Sequence, residues 1–176
     1  MQSPPFLPFC IVGPLDFGSD TFYDSRKERI DAKLSLISQA TTGSLMDECR
    51  KIFTEKYGCQ VIGVVWDNPG LESLLEFIEC IGGRNLSQIL VPLAQDYRGN
   101  RGGFPDLTLW QSPSEIENLN PADDDDVQII EVLPSFKFVE VKSANDRLSD
   151  MQRNWRMVLG ELGSGCMEIC RVLYET

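Results

Sequence analysis

The chain has 176 residues, of which 42% are hydrophobic and 24% are charged, and its formal net charge is −11. This composition suits one globular domain with its own hydrophobic core and argues against disorder throughout the chain. The longest apolar stretch, VIGVVW at 61–66, is far shorter than the roughly 20 residues that span a bilayer. We therefore predict no transmembrane segment and no membrane partner.

The first 20 residues begin MQSPPFLPFCIVGPL, with four prolines and no basic residue. A secretory signal peptide begins with a basic region, so this opening argues against one. We interpret residues 1–20 as a linker or a truncated edge of the domain, and residues 21–176 as the domain itself.

Residues 25–97 are predicted to be mainly helical. SRKERIDAKLSLISQA begins with a capping box formed by Ser25 and Glu28, and SLMDECRKIFTEKYG repeats its apolar stripe and can end at Gly58. LESLLEFIECIGG is predicted as a helix stopped by glycines, and NLSQILVPLAQDY as another that Pro92 kinks or delays. Between the first two and the last two of these predicted helices, CQVIGVVW at 59–66 predicts a buried strand.

The second half alternates strands with a helix, which favours an α/β fold. Strands are predicted at LTLW and FKFVEVK, followed by a helix near 149–162 and a strand at CMEICRVLY. Residues 111–135 contain seven acidic residues and no basic one, which predicts a solvated loop insertion that the fold does not need. A cation site built from DDDD at 123–126 is the less favoured alternative, since it lacks the spacing of a calcium loop.

The six cysteines contain no CxxC pair, and the chain has no histidine. Structural zinc sites of the common kinds are therefore disfavoured. We expect buried free thiols rather than disulfides.

The stretch FKFVEVK predicts a strand that places two charged side chains beside two aromatic rings. Strand side chains alternate between two faces, so Phe136, Phe138, Glu140 and Lys142 should share one face. Removing an unpaired charge from water costs several kcal/mol, roughly, so the two charges beside the two rings need compensation.

Asp106 indicates that a bound metal ion compensates these charges. It stands in RGGFPDLTLW at the entry to the other predicted strand, and two carboxylates that meet at a strand junction bind a hard cation such as Mg²⁺ or Mn²⁺. Lys142 could then hold or deprotonate a water, or stabilise charge on a phosphate under attack. The pattern predicts phosphodiester hydrolysis, although an ordinary surface salt bridge between Glu140 and Lys142 accounts for the same residues.

Gln152 follows in NDRLSDMQRNW and forms a second capping box with Ser149. Its role is either to cap the helix or to act near the metal site or the substrate, and the two roles are compatible.

Three segments, DYRGNRGGFPDLTLW, FKFVEVKSANDRLSDMQRNW and ECIGGRNLSQIL, resemble the VRR-NUC nuclease domain of the Fanconi-associated nuclease of eukaryotes, a branch of the PD-(D/E)XK superfamily. The resemblance runs from about Pro14 to the C-terminus. It implies a restriction-endonuclease-like α/β core, with a mixed sheet flanked by helices and extra N-terminal helices. It also implies a nuclear, structure-selective DNA nuclease that uses Mg²⁺ or Mn²⁺, cuts 5′ flaps, digests DNA from 5′ to 3′ and serves interstrand crosslink repair.

The resemblance also implies roles for individual residues. Asp106 and Glu140 match the metal-binding carboxylates, the Val141 carbonyl completes the metal shell, and Lys142 matches the catalytic lysine. Gln152 lies in the segment after this lysine. Arginines that would grip DNA phosphates are Arg98, Arg101 and Arg147.

The expected partners are flap, branched or crosslinked DNA, together with Fanconi anaemia pathway proteins bound through regions absent from this chain. The family has a further metal-binding glutamate on an upstream helix. We therefore expect a C-terminal part of the nuclease with weak or no activity by itself, unless Glu48 or Glu55 replaces that glutamate. The alternatives are a non-catalytic interaction module, or another PD-(D/E)XK activity such as junction resolution or RNA cleavage.

Overall fold

The computed structural model describes residues 13–111, 135–163 and 166–173. A short 3-10 turn at Asp24–Arg26 leads into four helices: α1 (Lys27–Gln39), α2 (Thr42–Lys56), α3 (Leu71–Gln95) and α4 (Tyr97–Asn100). They are followed by β1 (Leu107–Gln111), β2 (Ser135–Ser143), α5 (Asp150–Gly160) and β3 (Met167–Val172). The predicted α/β class, a mixed sheet flanked by helices with extra helices before it, is confirmed.

The three strands form one sheet in the order β1-β2-β3. β1 and β2 are antiparallel, with Leu107 opposite Val139, whereas β2 and β3 are parallel, with Lys142 opposite Arg171. Phe138 is buried against α3 and α5 in one core cluster, and Glu140 on the same face is buried too, but Val139 on the other face is also buried. β2 is thus the central strand, and its Phe138 face packs against α3 and α5.

Aromatic rings tie the segment before β1 to this core. Phe104 contacts Phe138 at 5.4 Å and Trp155 at 4.9 Å between ring centroids, both edge to face. Such pairs contribute about 0.5–1.5 kcal/mol each beyond the area they bury. Phe104 therefore anchors the entry to β1 between β2 and α5. α1 and α2 pack against α3.

The prediction of a buried strand at 59–66 is wrong. This run forms turns between α2 and α3, and Ile62 and Val65 are 57% and 67% exposed. A hydrogen bond from the Val64 N–H to the Val61 carbonyl closes one turn, and Gly63 has a φ of 78° that an extended strand does not allow. Local turn geometry thus overrides the apolar composition.

Two predictions about helix ends are also wrong. Ser25 donates its hydroxyl hydrogen bond to the Phe22 carbonyl instead of capping α1, because the 3-10 turn precedes the helix there. Pro92 lies inside α3 at helical backbone angles, so the predicted late start of the helix at this proline is wrong. The predicted glycine stop is present within α3, where Gly82 leaves the helical conformation at φ 68° and ψ 165°.

The predicted linker and the predicted acidic insertion are covered unequally. Phe17, within the stretch interpreted as a linker or edge, packs its ring against Tyr97 of α4 at 4.6 Å. Most of 111–135 lies outside the described residues, so the insertion remains a prediction. Across the described ranges, no helix is both long and apolar enough to cross a bilayer.

Four of the described cysteines are free thiols, as predicted: Cys49, Cys59, Cys166 and Cys170. Cys80 is buried, but Cys170 is exposed, so the prediction of burial is wrong for that residue. Cys170 lies on the sheet face opposite to the core, because its partner in β2 is Val141.

Candidate active site

Glu140 is a buried carboxylate in the middle of the central strand, with 1% of its surface exposed. Its Oε1 accepts hydrogen bonds from Lys142 Nζ at 2.8 Å and from Gln152 Nε2. Its Oε2 is also buried, yet it has no hydrogen-bond partner among the described residues. Leaving a buried acceptor unsatisfied costs about 1–3 kcal/mol, and more when the group is charged. Glu140 therefore offers a free anionic oxygen that a cation would satisfy.

Asp106 lies directly before β1, and its Oδ2 accepts a hydrogen bond from the Val141 N–H at 2.8 Å. The β1–β2 register, continued one residue beyond Leu107 and Val139, sets Asp106 opposite Glu140. Directly opposed residues of an antiparallel pair share a face, with Cβ atoms about 4.5–5.5 Å apart. The register thus places Asp106 and Glu140 on the same side of the sheet, where Glu140 is buried and Asp106 is exposed.

The Val141 carbonyl remains a predicted metal ligand. The same register sets Val141 opposite Pro105, which has no N–H to donate. The Val141 N–H donates its hydrogen bond to the Asp106 side chain instead of to a main-chain carbonyl. The main chain at Pro105 therefore supplies no donor to the Val141 carbonyl.

Lys142 lies two residues after Glu140 on the same face, and its side chain is 13% exposed. A buried ion pair is stable only when geometry and further hydrogen bonds offset the loss of water. Lys142 and Gln152 both donate to Glu140 Oε1, which leaves Oε2 without a hydrogen-bond partner among the described residues. The arrangement is more than the exposed surface pair that the sequence also allowed.

Gln152 performs two roles with one side chain. Its Oε1 accepts from the Ser149 N–H at 2.9 Å while Ser149 Oγ accepts from the Gln152 N–H at 3.2 Å, which completes the capping box of α5. Its Nε2 donates to Glu140. The first turn of α5 is thereby connected to the central carboxylate.

Two charged residues beyond the predicted set border this site. Asp146 Oδ2 accepts from the Ser143 N–H at 3.2 Å, and Arg171 Nη1 donates to the carbonyls of Ser143, Ala144 and Asp146 at 3.3–3.4 Å. The hydrogen bonds from Ser143 lower the pKa of the Asp146 carboxyl, and the positive charges of Lys142 and Arg171 lower it further. The sequence signal was the turn-forming pair Asn145–Asp146 directly after the strand.

The three predicted phosphate-binding arginines are separated along the chain. Arg98 is in α4, Arg101 follows α4, and Arg147 lies in the loop between β2 and α5. All three are exposed, and none forms an ion pair with another described residue. Their guanidinium groups are therefore available to an anionic partner.

The donors at this site fit a hard divalent cation. Asp106, Glu140 and the Val141 carbonyl supply oxygen ligands only, which suit Mg²⁺ and Mn²⁺, and the unsatisfied Glu140 Oε2 is where a cation would bind. In the described parts of the chain, no group of three or more acidic, cysteine or histidine side chains is arranged so that it could hold a metal ion by itself. Glu48 pairs with Lys33 of α1 at 2.5 Å, and the alternative that Glu48 or Glu55 replaces the upstream glutamate stays a prediction.

The family model of the VRR-NUC domain matches residues 40–173. The chain belongs to the VRR-NUC domain family. Nucleases of this family are generally dependent on divalent metals. The resemblance found in the sequence is therefore confirmed.

Individual relatives agree with this family assignment. The chain is 35% identical to human Fanconi-associated nuclease 1 over 165 residues and 38% identical to the Dictyostelium discoideum homologue over 160 residues. These alignments cover 93% and 90% of the chain but 14% of each relative. A crystal structure of paFAN1 bound to 5′ flap DNA with a gap matches with a TM-score of 0.71 and 26% identity, over 93% of this chain and 26% of that one. The chain thus spans about one seventh of the length of these curated relatives.

Proposed function

We propose that this chain is a divalent-metal-dependent nuclease domain that hydrolyses phosphodiester bonds in branched DNA. The observation that carries the proposal is Glu140, a buried carboxylate with one oxygen held by Lys142 and Gln152 and the other unsatisfied. Asp106, opposite Glu140 by strand register, supplies the second carboxylate. A buried, half-satisfied carboxylate is costly for the fold alone, and a metal site accounts for it.

Asp106, Glu140 and the Val141 carbonyl are the proposed ligands of Mg²⁺ or Mn²⁺. When bound, such an ion lowers the pKa of a water and stabilises negative charge on a phosphate. Lys142, within 2.8 Å of Glu140, is placed to orient or deprotonate the attacking water or to stabilise the phosphate. Gln152 acts on Glu140, holding Oε1 so that Oε2 is presented to the ion.

The substrate we propose is 5′ flap, branched or crosslinked DNA. The support is the family, together with paFAN1, which was crystallised with 5′ flap DNA. Since the net charge is −11, binding requires local positive groups, and the exposed Arg98, Arg101 and Arg147 are the candidates. The proposed activities are 5′ flap endonuclease and 5′-to-3′ exonuclease cleavage in interstrand crosslink repair. The proposed location is the nucleus, and the proposed protein partners are those of the Fanconi anaemia pathway.

The test is cleavage of a labelled 5′ flap DNA as Mn²⁺ or Mg²⁺ is titrated. Asp106→Ala and Glu140→Gln should abolish metal-dependent cleavage. Glu168→Gln is the matched control, because Glu168 is an exposed glutamate on the neighbouring strand that pairs with Lys137. Cleavage that survives in Glu140→Gln, or that fails equally in Glu168→Gln, would refute the assigned site.

A non-catalytic interaction module is the second candidate, and one observation favours it. Leu107 and Leu109 of β1 and Val172 of β3 are 47%, 50% and 40% exposed on the sheet face opposite to Phe138. Exposed apolar patches of this kind are common at protein interfaces. A chain that neither binds Mn²⁺ nor cleaves DNA would favour this candidate over the nuclease.

A further inference from the structure

The loop that joins α4 to β1 carries Asp106 and also reaches α5. Trp155, buried at 2% exposure in α5, donates a hydrogen bond from Nε1 to the Asn100 carbonyl at 2.9 Å. Its ring meets that of Phe104 at 4.9 Å. These two contacts attach the middle of α5 to the end of α4 and to the loop that follows it.

Gly103 makes a third contact, with the first turn of the same helix. A Cβ added to Gly103 would lie 2.7 Å from Met151 Cβ, and 2.9 Å from both the Met151 carbonyl carbon and the Gln152 nitrogen. Two of these atoms belong to the helix backbone, so no side-chain rotation relieves the contact. Gly103 also has a φ of 74°, a conformation that favours glycine. The loop and the helix touch here, main chain against main chain.

The spacing at Gly103 determines where Gln152 lies. A Cβ here would have to separate the loop from the helix by about half an ångström or more to reach an ordinary contact of 3.4 Å. Gln152 uses both ends of its amide, on the Ser149 N–H and on Glu140, so it cannot follow such a displacement and keep both bonds. Hydrogen bonds weaken steeply outside a window of about 2.7–3.2 Å.

We propose that Gly103 is a positioning residue of the active site. It lets the loop that delivers Asp106 approach α5 closely enough for Gln152 to hold Glu140 Oε1, which keeps Oε2 directed to the metal. This inference rests on the proposed function for its catalytic meaning. The contact itself, between Gly103 and the first turn of α5, is independent of that function.

The first test is free of metal and of activity. Gly103→Ala is compared with Gly102→Ala, because a Cβ at Gly102 would meet only the flexible end of Met151, Cε at 3.4 Å and Sδ at 3.6 Å. NMR of the whole chain should show a displaced Gln152 side-chain amide resonance and faster hydrogen exchange at the Ser149 N–H in Gly103→Ala, and neither change in Gly102→Ala. Unchanged signals in Gly103→Ala would overturn the proposal.

The second test is calorimetric titration with Mn²⁺. Loss of a residue that orients a metal ligand lowers affinity by roughly 10–100-fold. Gly103→Ala should show a loss in this range, whereas a smaller folded fraction would reduce the number of sites and leave affinity unchanged. In a Gln152→Ala background, Gly103→Ala should weaken Mn²⁺ binding little further, since both changes remove the same hydrogen bond. Fully additive losses would overturn the proposal.

If Gly103→Ala does not fold, Gly103→Asn replaces it, because asparagine tolerates a positive φ but still carries a Cβ. The expected NMR changes are the same, and their absence in a folded Gly103→Asn overturns the proposal. If the parent chain binds no Mn²⁺, the proposed function fails, while the NMR comparison still decides the role of Gly103.

Discussion

Gln152 joins the cap of α5 to Glu140. Its Oε1 accepts from the Ser149 N–H at 2.9 Å while its Nε2 donates to Glu140 Oε1. Because an amide has a donor and an acceptor at fixed spacing, one side chain makes both bonds only when helix and strand are held at one distance. Helix capping and support of the central carboxylate are therefore a single structural feature.

Gln152→Ala and Ser149→Ala should separate these two roles. Both variants lose part of the capping box and about 1 kcal/mol of folding free energy, measured by urea unfolding. Only Gln152→Ala removes the donor to Glu140, so its Mn²⁺ affinity should fall about tenfold or more. Equal Mn²⁺ affinities in the two variants would show that the bond to Glu140 has no effect on the metal site.

Lys142→Met should destabilise the metal-free chain strongly, because it leaves the Glu140 charge buried without its ion partner. Removing one member of a buried pair costs about 3–5 kcal/mol. The double variant Glu140→Gln with Lys142→Met should regain much of this loss. Lys137→Met, which breaks the exposed pair with Glu168, should change the free energy of unfolding by about 1 kcal/mol or less. Equal losses in the two lysine variants would contradict burial of the Glu140 pair.

Replacing Arg98, Arg101 or Arg147 by Gln should each reduce the salt dependence of DNA binding. Every phosphate contact contributes about 0.9 to the slope of log affinity against log salt concentration. The measurement is fluorescence anisotropy of a labelled 5′ flap DNA at several salt concentrations, with Ca²⁺ in place of Mn²⁺. Arg29→Gln in α1 removes the same charge from another exposed position and should leave the slope unchanged. Identical slopes in all four variants would exclude direct phosphate contacts by these three residues.

Asp146 should contribute stability that depends on pH. Its folded-state pKa lies below the ordinary 3.8, chiefly because of the hydrogen bonds from Ser143, so folding favours the ionised form. This contribution is present above pH 3.8 and is lost as the pH falls through the lower folded-state value. Asp146→Asn keeps an acceptor but removes the charge, so it should be less stable than the parent at pH 7 and approach it in acid. A difference that stays constant from pH 7 into acid, measured by urea unfolding, would contradict this.

Much of the site was predictable because it follows a period of two. Strand alternation alone placed Phe138, Glu140 and Lys142 on one face, and the order of motifs brought Asp106 to the neighbouring strand. The capping box of Ser149 and Gln152 was also local, since it needs three residues of spacing and nothing from the rest of the fold. In all these cases the deciding contacts lie within one strand, one helix turn or one strand pair.

Prediction failed where turn geometry competes with the apolar pattern or with the capping signal. The apolar run at 59–66 forms turns because Gly63 and the Val64–Val61 hydrogen bond bend it, although its composition suits a buried strand. Ser25 does not cap α1, because the turn before the helix offers its hydroxyl the Phe22 carbonyl. Neither choice is visible in residue types alone.

The sequence by itself determined the four longer helices, the three strands of the sheet, the face that carries Glu140 and Lys142, and the resemblance to the VRR-NUC family. Tertiary structure alone decided that Glu140 has one satisfied and one unsatisfied oxygen, that Gln152 reaches it, and that Gly103 lets the loop carrying Asp106 approach α5. The physical reason is the sequence separation of the interacting residues, because periodicity and capping depend on neighbours a few residues away. The distance between a loop and a helix some fifty residues apart is set by packing of the whole core around Phe138 and Trp155.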